Sequence, residues 1–578
     1  MARYRRNTAQ TVYTGGFSGI DVTEGDGGSF SSSSYMKNFR VTPEHGLKKR
    51  SGYRKLIDNV TADSRYAAHI GGADLLVFKN GTVLNAVDLA DGPAVSLDTH
   101  DGAPVGYFTF GGMVYIYGQG FYYAFDGTSF RKLTPYVPKV AVTCPPSGGG
   151  TLHESLNLLS DRARLSYSPD GVSMEYILPS YAYSVTSVAE DGSELDASRY
   201  SYDPRTCTLT FSEAPAGGVP DSLEVTFRLS DGALSGMPRI GERFCIYGGD
   251  RDTRVFAFGA GNTLYYSDVT ATGPDPTYFP ADNFIQVGDG TEKVTALVRH
   301  YDRLIVFTER QTWFLSPSTV TYSGETKPSF PVYPLNSTVG CAGGAAAYAD
   351  NHPVTLSYDG IYVFGQSTVR DERLAKRISD RVSPYIPYSF LSRAGIFDNE
   401  YDKELWMYAD GRVLIYNYGT DAFYIYENVP AVYVFGAGGR CAFCTEHAVY
   451  VFEGETDDGE PVEAVWESNN VVFDRTVKHR RLRRVSVCFT AESGTALQVC
   501  VTPNRGAAKT LTFTGGQGDG GFDFEHIDFG AFSFVCGRRP SHAEQRLPLG
   551  SFESASVRLS SAGETVYVGS VSLTVDGA

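Results

Sequence analysis

The chain has 578 residues, a formal net charge of -16 and 42% hydrophobic residues. That apolar fraction excludes an intrinsically disordered chain, and the length calls for roughly two to four domains, because single cores stop growing near 250–300 residues. An acidic body argues against wrapping nucleic acid, which takes Lys and Arg to neutralise phosphate, and no apolar run approaches the ~20 residues of a membrane span.

Tyr (38), Phe (35) and Gly (63) are abundant. Aromatics fit pleated surfaces and Gly serves tight turns, so the composition reads as all-β. Nine thinly spread Cys do not make a disulfide framework. The opening Met1–Arg6 has no apolar segment behind it, so no signal peptide is read and folding in a cytoplasm is expected.

Residues 1–55 hold ten Lys or Arg against four acids, net +6, which leaves -22 for the rest of the chain. Residues 1–60 read as an extended docking segment. Its basic side chains Arg40, Lys48, Lys49, Arg50, Arg54 and Lys55 are expected to contact an acidic neighbouring subunit. In the plainer alternative, Gly46 and Gly52 shape turns and the basic side chains are solvated.

Seven apolar hairpins follow: Leu75–Val87, Met113–Phe125, Arg254–Asp268, Arg303–Pro317, Pro353–Gly365, Glu404–Tyr418 and Cys441–Gly454. The first has Asn80-Gly81 as its turn, a strong hairpin signal because both residues tolerate positive φ. Most spacings are about 40–50 residues, which matches four-stranded propeller blades; a pair of β-sandwiches is the alternative. The fold class read is all-β: a β-propeller of about six to seven blades over residues 61–138 and 232–460. A Pro/Gly linker, Cys144–Gly150, introduces short strands across 139–231, read as an inserted immunoglobulin-like β-sandwich. Alternating strands from 461 to 578 read as a C-terminal β-sandwich, with a mobile loop at Thr514–Phe524. The best helix candidate is short, residues 371–383.

Chemistry-bearing motifs are weak. Cys441-Ala442-Phe443-Cys444 lacks a second ligand pair for zinc, and residues i and i+3 of a strand face opposite sides. Ser357–Gly360 and Ser168–Gly171 share only a turn with the sialidase Asp-box. No nucleophile elbow, phosphate loop or H-E-x-x-H is present. Glycoside cleavage needs two facing carboxylates, and no acid sits in a distinctive setting. The chain is therefore expected not to be an enzyme, with no catalytic, cofactor-binding or metal residues. A second basic run, Lys478–Arg484, reads as a charged strand edge or a docking surface through Lys478, Arg480, Arg481, Arg483 and Arg484. Alternation puts Lys478, Arg480, Leu482 and Arg484 on one face.

Three stretches carry a resemblance. They are Thr14–Val22 followed by "YMKNF" and "HGLKKRSGY", then Val339–Gly365, then Trp466–Val487. With Asn38, Gly46, Leu47, Lys49, Arg50 and Gly52 in place, and Ser51 where Pro is frequent, the chain resembles the tail nozzle (tail tubular protein B) of short-tailed bacteriophages and the related packaged-DNA stabilisation or stopper proteins. The resemblance implies a structural virion protein, assembled in the host cytoplasm as a homo-oligomeric ring, commonly a hexamer, around the DNA exit channel of the tail. It implies contacts with the tail adaptor or a portal-proximal protein and with tail fibres. DNA passes without specific binding, and there is no cofactor and no membrane insertion. The alternative function is a carbohydrate-binding or receptor-recognition propeller of the tail with glycan-cleaving activity; a propeller scaffold for peptide ligands is a third reading.

Overall fold

The structure is a computed structural model that describes residues 10–577 except 25–28, 91–94, 119, 230–239, 249–250, 323–324, 367–372, 473–479, 492–493 and 516–540. The protein is all-β. It is a β-propeller with an inserted immunoglobulin-like sandwich and a C-terminal sandwich, and among the described residues seven four-stranded antiparallel blades are present. Each of the seven sequence hairpins forms the second and third strands of one blade. In the first, the turn falls at Gly81-Thr82, one residue later than expected, with Gly81 at φ +55°. The chain divides into two compact units, Ala62–Cys341 and Met1–Thr61 with Ala342–Ala578.

The first unit, Ala62–Cys341, holds four blades. Their second strands are Ala73–Asn80, Met113–Gly118, Arg254–Phe258 and Arg303–Thr308. Neighbouring blades bury apolar faces on each other: Val77 and Ile116 share one core, Tyr117 and Val255 a second, Phe256 and Val306 a third. A central strand covered on both sides reads as a continuous apolar run, as in Arg254–Phe258, where every residue is buried. The insert is a sandwich of six and three strands running from Lys139–Cys144 to Leu223–Arg228, with its own core around Tyr167, Tyr176 and Phe227. Asn157 anchors it. Its amide donates to the Tyr136 and Thr277 carbonyls and accepts from the Leu159 and Phe279 N–H groups.

The second unit holds three blades, with second strands His352–Leu356, Glu404–Ala409 and Arg440–Cys444. The short helix expected over 371–383 is only in part found: Arg373–Arg377 is the outer strand of the first of these blades, and a 3-10 helix follows at Ser379–Tyr385. Pairing with Ile361–Gln366 completes a four-stranded blade, and that tertiary gain overrides the local helical preference.

Two features of this unit are absent from the sequence reading. First, its middle blade does not end at its fourth strand, Ala422–Glu427. Ser33–Lys37 pairs with that strand in parallel and with Ala464–Ser468 antiparallel. The sheet therefore continues into the C-terminal sandwich through Ser554–Ser561, Ala496–Pro503 and Lys509–Thr514, and with Val471–Val472 beside Ser554–Ser561 it has ten strands in all. No break falls at residue 461, and one buried cluster spans both parts, with Trp406, Tyr424, Trp466, Val499 and Val571 among its members.

Second, the N-terminal segment is woven through the unit. Gln10–Gly15 and the hairpin Phe39–Val41/Leu47–Lys49 join the Val566–Gly577 strand of the sandwich's other sheet. Tyr53–Ile57 is the outer strand of the last blade, paired with Val449–Phe452. The segment expected to be an extended arm thus supplies five strands to three sheets. The loop read at Thr514–Phe524 lies outside the described residues beyond Gly515.

Candidate functional site

The basic phrase of the N-terminal segment folds onto the middle and last blades of its unit, and most of its charges meet partners there. Asn38 sits at φ +56°, a left-handed conformation that Asn tolerates. From there its amide donates to the Glu463 carbonyl and accepts from Arg50 Nε and the Glu427 N–H. Arg50 is buried and uses all five of its N–H groups. It bonds Asn38 Oδ1 at 2.9 Å, the carbonyls of Ser51 and Glu427, and both Asp457 carboxylate oxygens at 2.8 and 2.6 Å. Lys49 is buried as well, with Nζ donating to the Gly563 carbonyl, and burial pushes its ammonium pKa down. A Cβ on Gly52 would lie 2.1 Å from the Thr456 carbonyl oxygen, and one on Gly46 would strike the Tyr567 ring. Each residue of the motif therefore answers a local structural demand.

Beside this junction lies a cavity of ≈ 230 Å³. Arg40, Lys48, Lys49 and Arg50 line it from the hairpin; Asn399, Tyr401, Asp402 and Glu404 line it from the first turn of the middle blade; Arg440 lines it from the first turn of the last blade. Arg40 bridges two carboxylates, Asp402 at 2.9 Å and Glu404 at 3.4 Å. Glu404 is fully buried and accepts from Tyr424 at 2.5 Å and Trp406 at 2.9 Å. Burial drives its carboxyl pKa up, and Arg40 with the two hydrogen-bond donors pulls it back. At the rim, Glu453 is shared by Arg54 and Arg440, each at 2.7 Å, and those contacts hold its carboxyl below the usual range.

The expected docking residues therefore separate. Lys49 and Arg50 are buried inside the chain, Arg40 is tied to its carboxylates, and Arg54 and Lys55 pair with Glu453 and Asp58. Lys48 is exposed. In the second basic run, Lys478 lies outside the described residues, as does the side chain of Arg480. Arg481, Arg483 and Arg484 are all exposed, and Leu482 is buried. Strict alternation fails here because the ladder shifts register between Leu482 and Arg484, a bulge that turns two successive arginines outward. Arg483 contacts Asp576 and Arg484 pairs with Glu544 at 2.6 Å. Cys441 and Cys444 are both buried.

A second, larger cleft of ≈ 620 Å³ opens where the first strands of the same three blades begin. Gly343, Gly344, Ala346 and Gly395 line it, with the Arg393–Asp410 ion pair at 2.9 Å.

On one of those strands, burial raises the Asp398 pKa to about 6, with Glu400 and Asp350 adding to the rise and the Tyr418 hydroxyl opposing it. A folded pKa above the unfolded value means that the contribution of Asp398 to stability is full below about pH 4 and is lost as pH rises through about 6. Asp398→Asn is expected to flatten that fall, read as the difference in urea midpoint between pH 4 and pH 7.

No family model and no curated protein matches the sequence. Among solved structures, the chain is similar to an exo-β-1,3-galactanase from Phanerochaete chrysosporium crystallised with galactose, at 10% identity, 81% of this chain, 95% of that one and a TM-score of 0.16. It is also similar to an extracellular domain from B. thetaiotaomicron (9%, 74% and 57%, 0.19) and to a Bacillus thuringiensis Cry1Da tryptic core variant (10%, 49% and 51%, 0.16). The expectation that the chain is not an enzyme is corrected on this point: its similar structures include a glycoside hydrolase, and missing short motifs do not exclude propeller catalysis assembled from several blades. At these TM-scores no activity is carried over to this chain.

Proposed function

We propose that the chain is a structural β-propeller of a bacteriophage tail, of the nozzle or stopper kind, working as a ring of about six copies around the DNA channel. The observation that supports this reading is the fit between motif and fold. Asn38, Gly46, Lys49, Arg50 and Gly52, which carry the resemblance to tail proteins, are the residues that fasten the N-terminal segment to the blades and the C-terminal sandwich. A subunit stitched end to end in this way suits a part that bears load. The exposed Lys48 and Arg481, neither ion-paired among the described residues, remain for acidic faces of neighbouring subunits or the adaptor. Negative-stain microscopy of the purified protein, alone and mixed with its tail adaptor, tests this reading. Closed rings are expected; particles that stay monomeric under both conditions would overturn it.

A second reading, saccharide recognition by the propeller, is favoured by the cavity at Arg40, Tyr401 and Glu404, which combines aromatic, cationic and carboxylate groups. The two readings are compatible in a tail protein that meets a host surface.

A further inference from the structure

We propose that the ≈ 230 Å³ cavity between the N-terminal hairpin and the two blade turns binds one unit of an acidic saccharide, its carboxylate on Lys48 and its ring on Tyr401. The proposal rests on the saccharide reading and names the substrate class.

Charge comes first. Five cations line the cavity, Arg40, Lys48, Lys49, Arg50 and Arg440, against two carboxylates, Asp402 and Glu404. Four of the cations are engaged within the fold. Arg40 holds both lining carboxylates, Arg50 holds Asp457, Arg440 holds Glu453, and Lys49 is capped by the Gly563 carbonyl. Lys48 stands at the same wall, exposed and without an ion pair among the described residues. With Asp457 and Glu453 counted, the five cations face four carboxylates, so Lys48 leaves this wall with a net positive charge suited to an anion.

Shape comes second. The cavity is smaller than the roughly 300–1,000 Å³ of drug-sized sites, so it admits a single ring rather than a peptide or a nucleotide chain. Tyr401 sits in the turn before Glu404 with 85% of its surface exposed. Its ring is an apolar face with a polar tip, the side chain on which the C–H face of a pyranose stacks. Ser51, Asn399 and Asp402 on the walls offer donors and acceptors for ring hydroxyls. A carboxylate for Lys48, a C–H face for Tyr401 and hydroxyls for the walls together describe a uronate.

The test is calorimetric titration of the full chain with digalacturonate, with neutral galactobiose and with inorganic phosphate. Digalacturonate is expected to bind at least tenfold more tightly than galactobiose. Lys48→Glu and Tyr401→Ala are each expected to weaken it at least tenfold with unchanged melting temperature, since both side chains are exposed. Equal binding of galactobiose that is indifferent to Lys48→Glu would overturn the acidic-saccharide inference and leave saccharide recognition standing. Phosphate binding as tightly as digalacturonate would reduce the site to a general anion site and also overturn it. No binding of either disaccharide would overturn both the inference and the reading on which it rests.

Discussion

A chain that begins at Asp58, lacking residues 1–57, is expected not to fold its blade-and-sandwich unit. The deletion strips six fully buried apolar side chains from one core: Phe17, Ile20, Met36, Phe39, Val41 and Leu47. At roughly 1.5–3 kcal/mol for each, the loss is about 10 kcal/mol or more, which matches the whole ~5–15 kcal/mol stability of a typical domain. The deletion also opens edges. Val449–Phe452 loses its outer partner, and the middle blade loses the strand that joins it to Ala464–Ser468. Unpaired edges of this length are templates for aggregation. Insoluble protein is therefore expected, and a soluble truncated chain with an unchanged melting curve would contradict the account. Residues 62–341, with their own blade cores, are the part expected to survive limited proteolysis of any soluble fraction.

The second large effect is expected at Asp457. Among the described residues its carboxylate is the sole anion held by the buried Arg50 guanidinium, and side-chain exposures of 1% and 9% leave little room for water to replace it. Asp457→Ala strands a buried charge, so denaturant unfolding should report a loss of about 3–5 kcal/mol. The double variant Arg50→Met, Asp457→Leu removes both charges and is expected to recover much of that loss, because a buried ion pair is often no more stabilising than apolar side chains of similar volume. Arg50 also lies near the rings of Tyr426 and Tyr53, at 5.6 and 5.9 Å from their centroids, and Met keeps apolar contact with both. A single variant as stable as the parent would show that the junction is not under tension from its charges.

What was legible in the sequence was local. The seven hairpins could be read because a run such as Glu404–Ala409, its turn at Asp410-Gly411 and its return strand are contiguous, and because two-sided burial writes an unbroken apolar string. The insert was legible for the same reason, between a Pro/Gly entry and the alternating Leu223–Arg228. The junction was not. Arg50 stands 407 residues from Asp457, and Arg40 stands 362 from Asp402, so the charges were visible while the carboxylates that absorb them were not. A run of basic residues beside an acidic body therefore read as a surface for another molecule, although much of it is internal wiring. Arg373–Arg377 was misread because its blade partner, not its own composition, makes it a strand. The bulge at Leu482–Arg484 leaves no mark in a pattern of alternating charges.

That internal role of residues 10–57 is the central claim, and native-state hydrogen exchange measures it most directly. Amides of Leu47–Lys49 and Tyr53–Ile57 bond into the sandwich and the last blade. They are expected to exchange as slowly as those of the Glu404–Ala409 strand, through global opening of the unit alone. Exchange of residues 47–57 within seconds, while Glu404–Ala409 stays protected for hours, would mark a detachable arm and contradict the account.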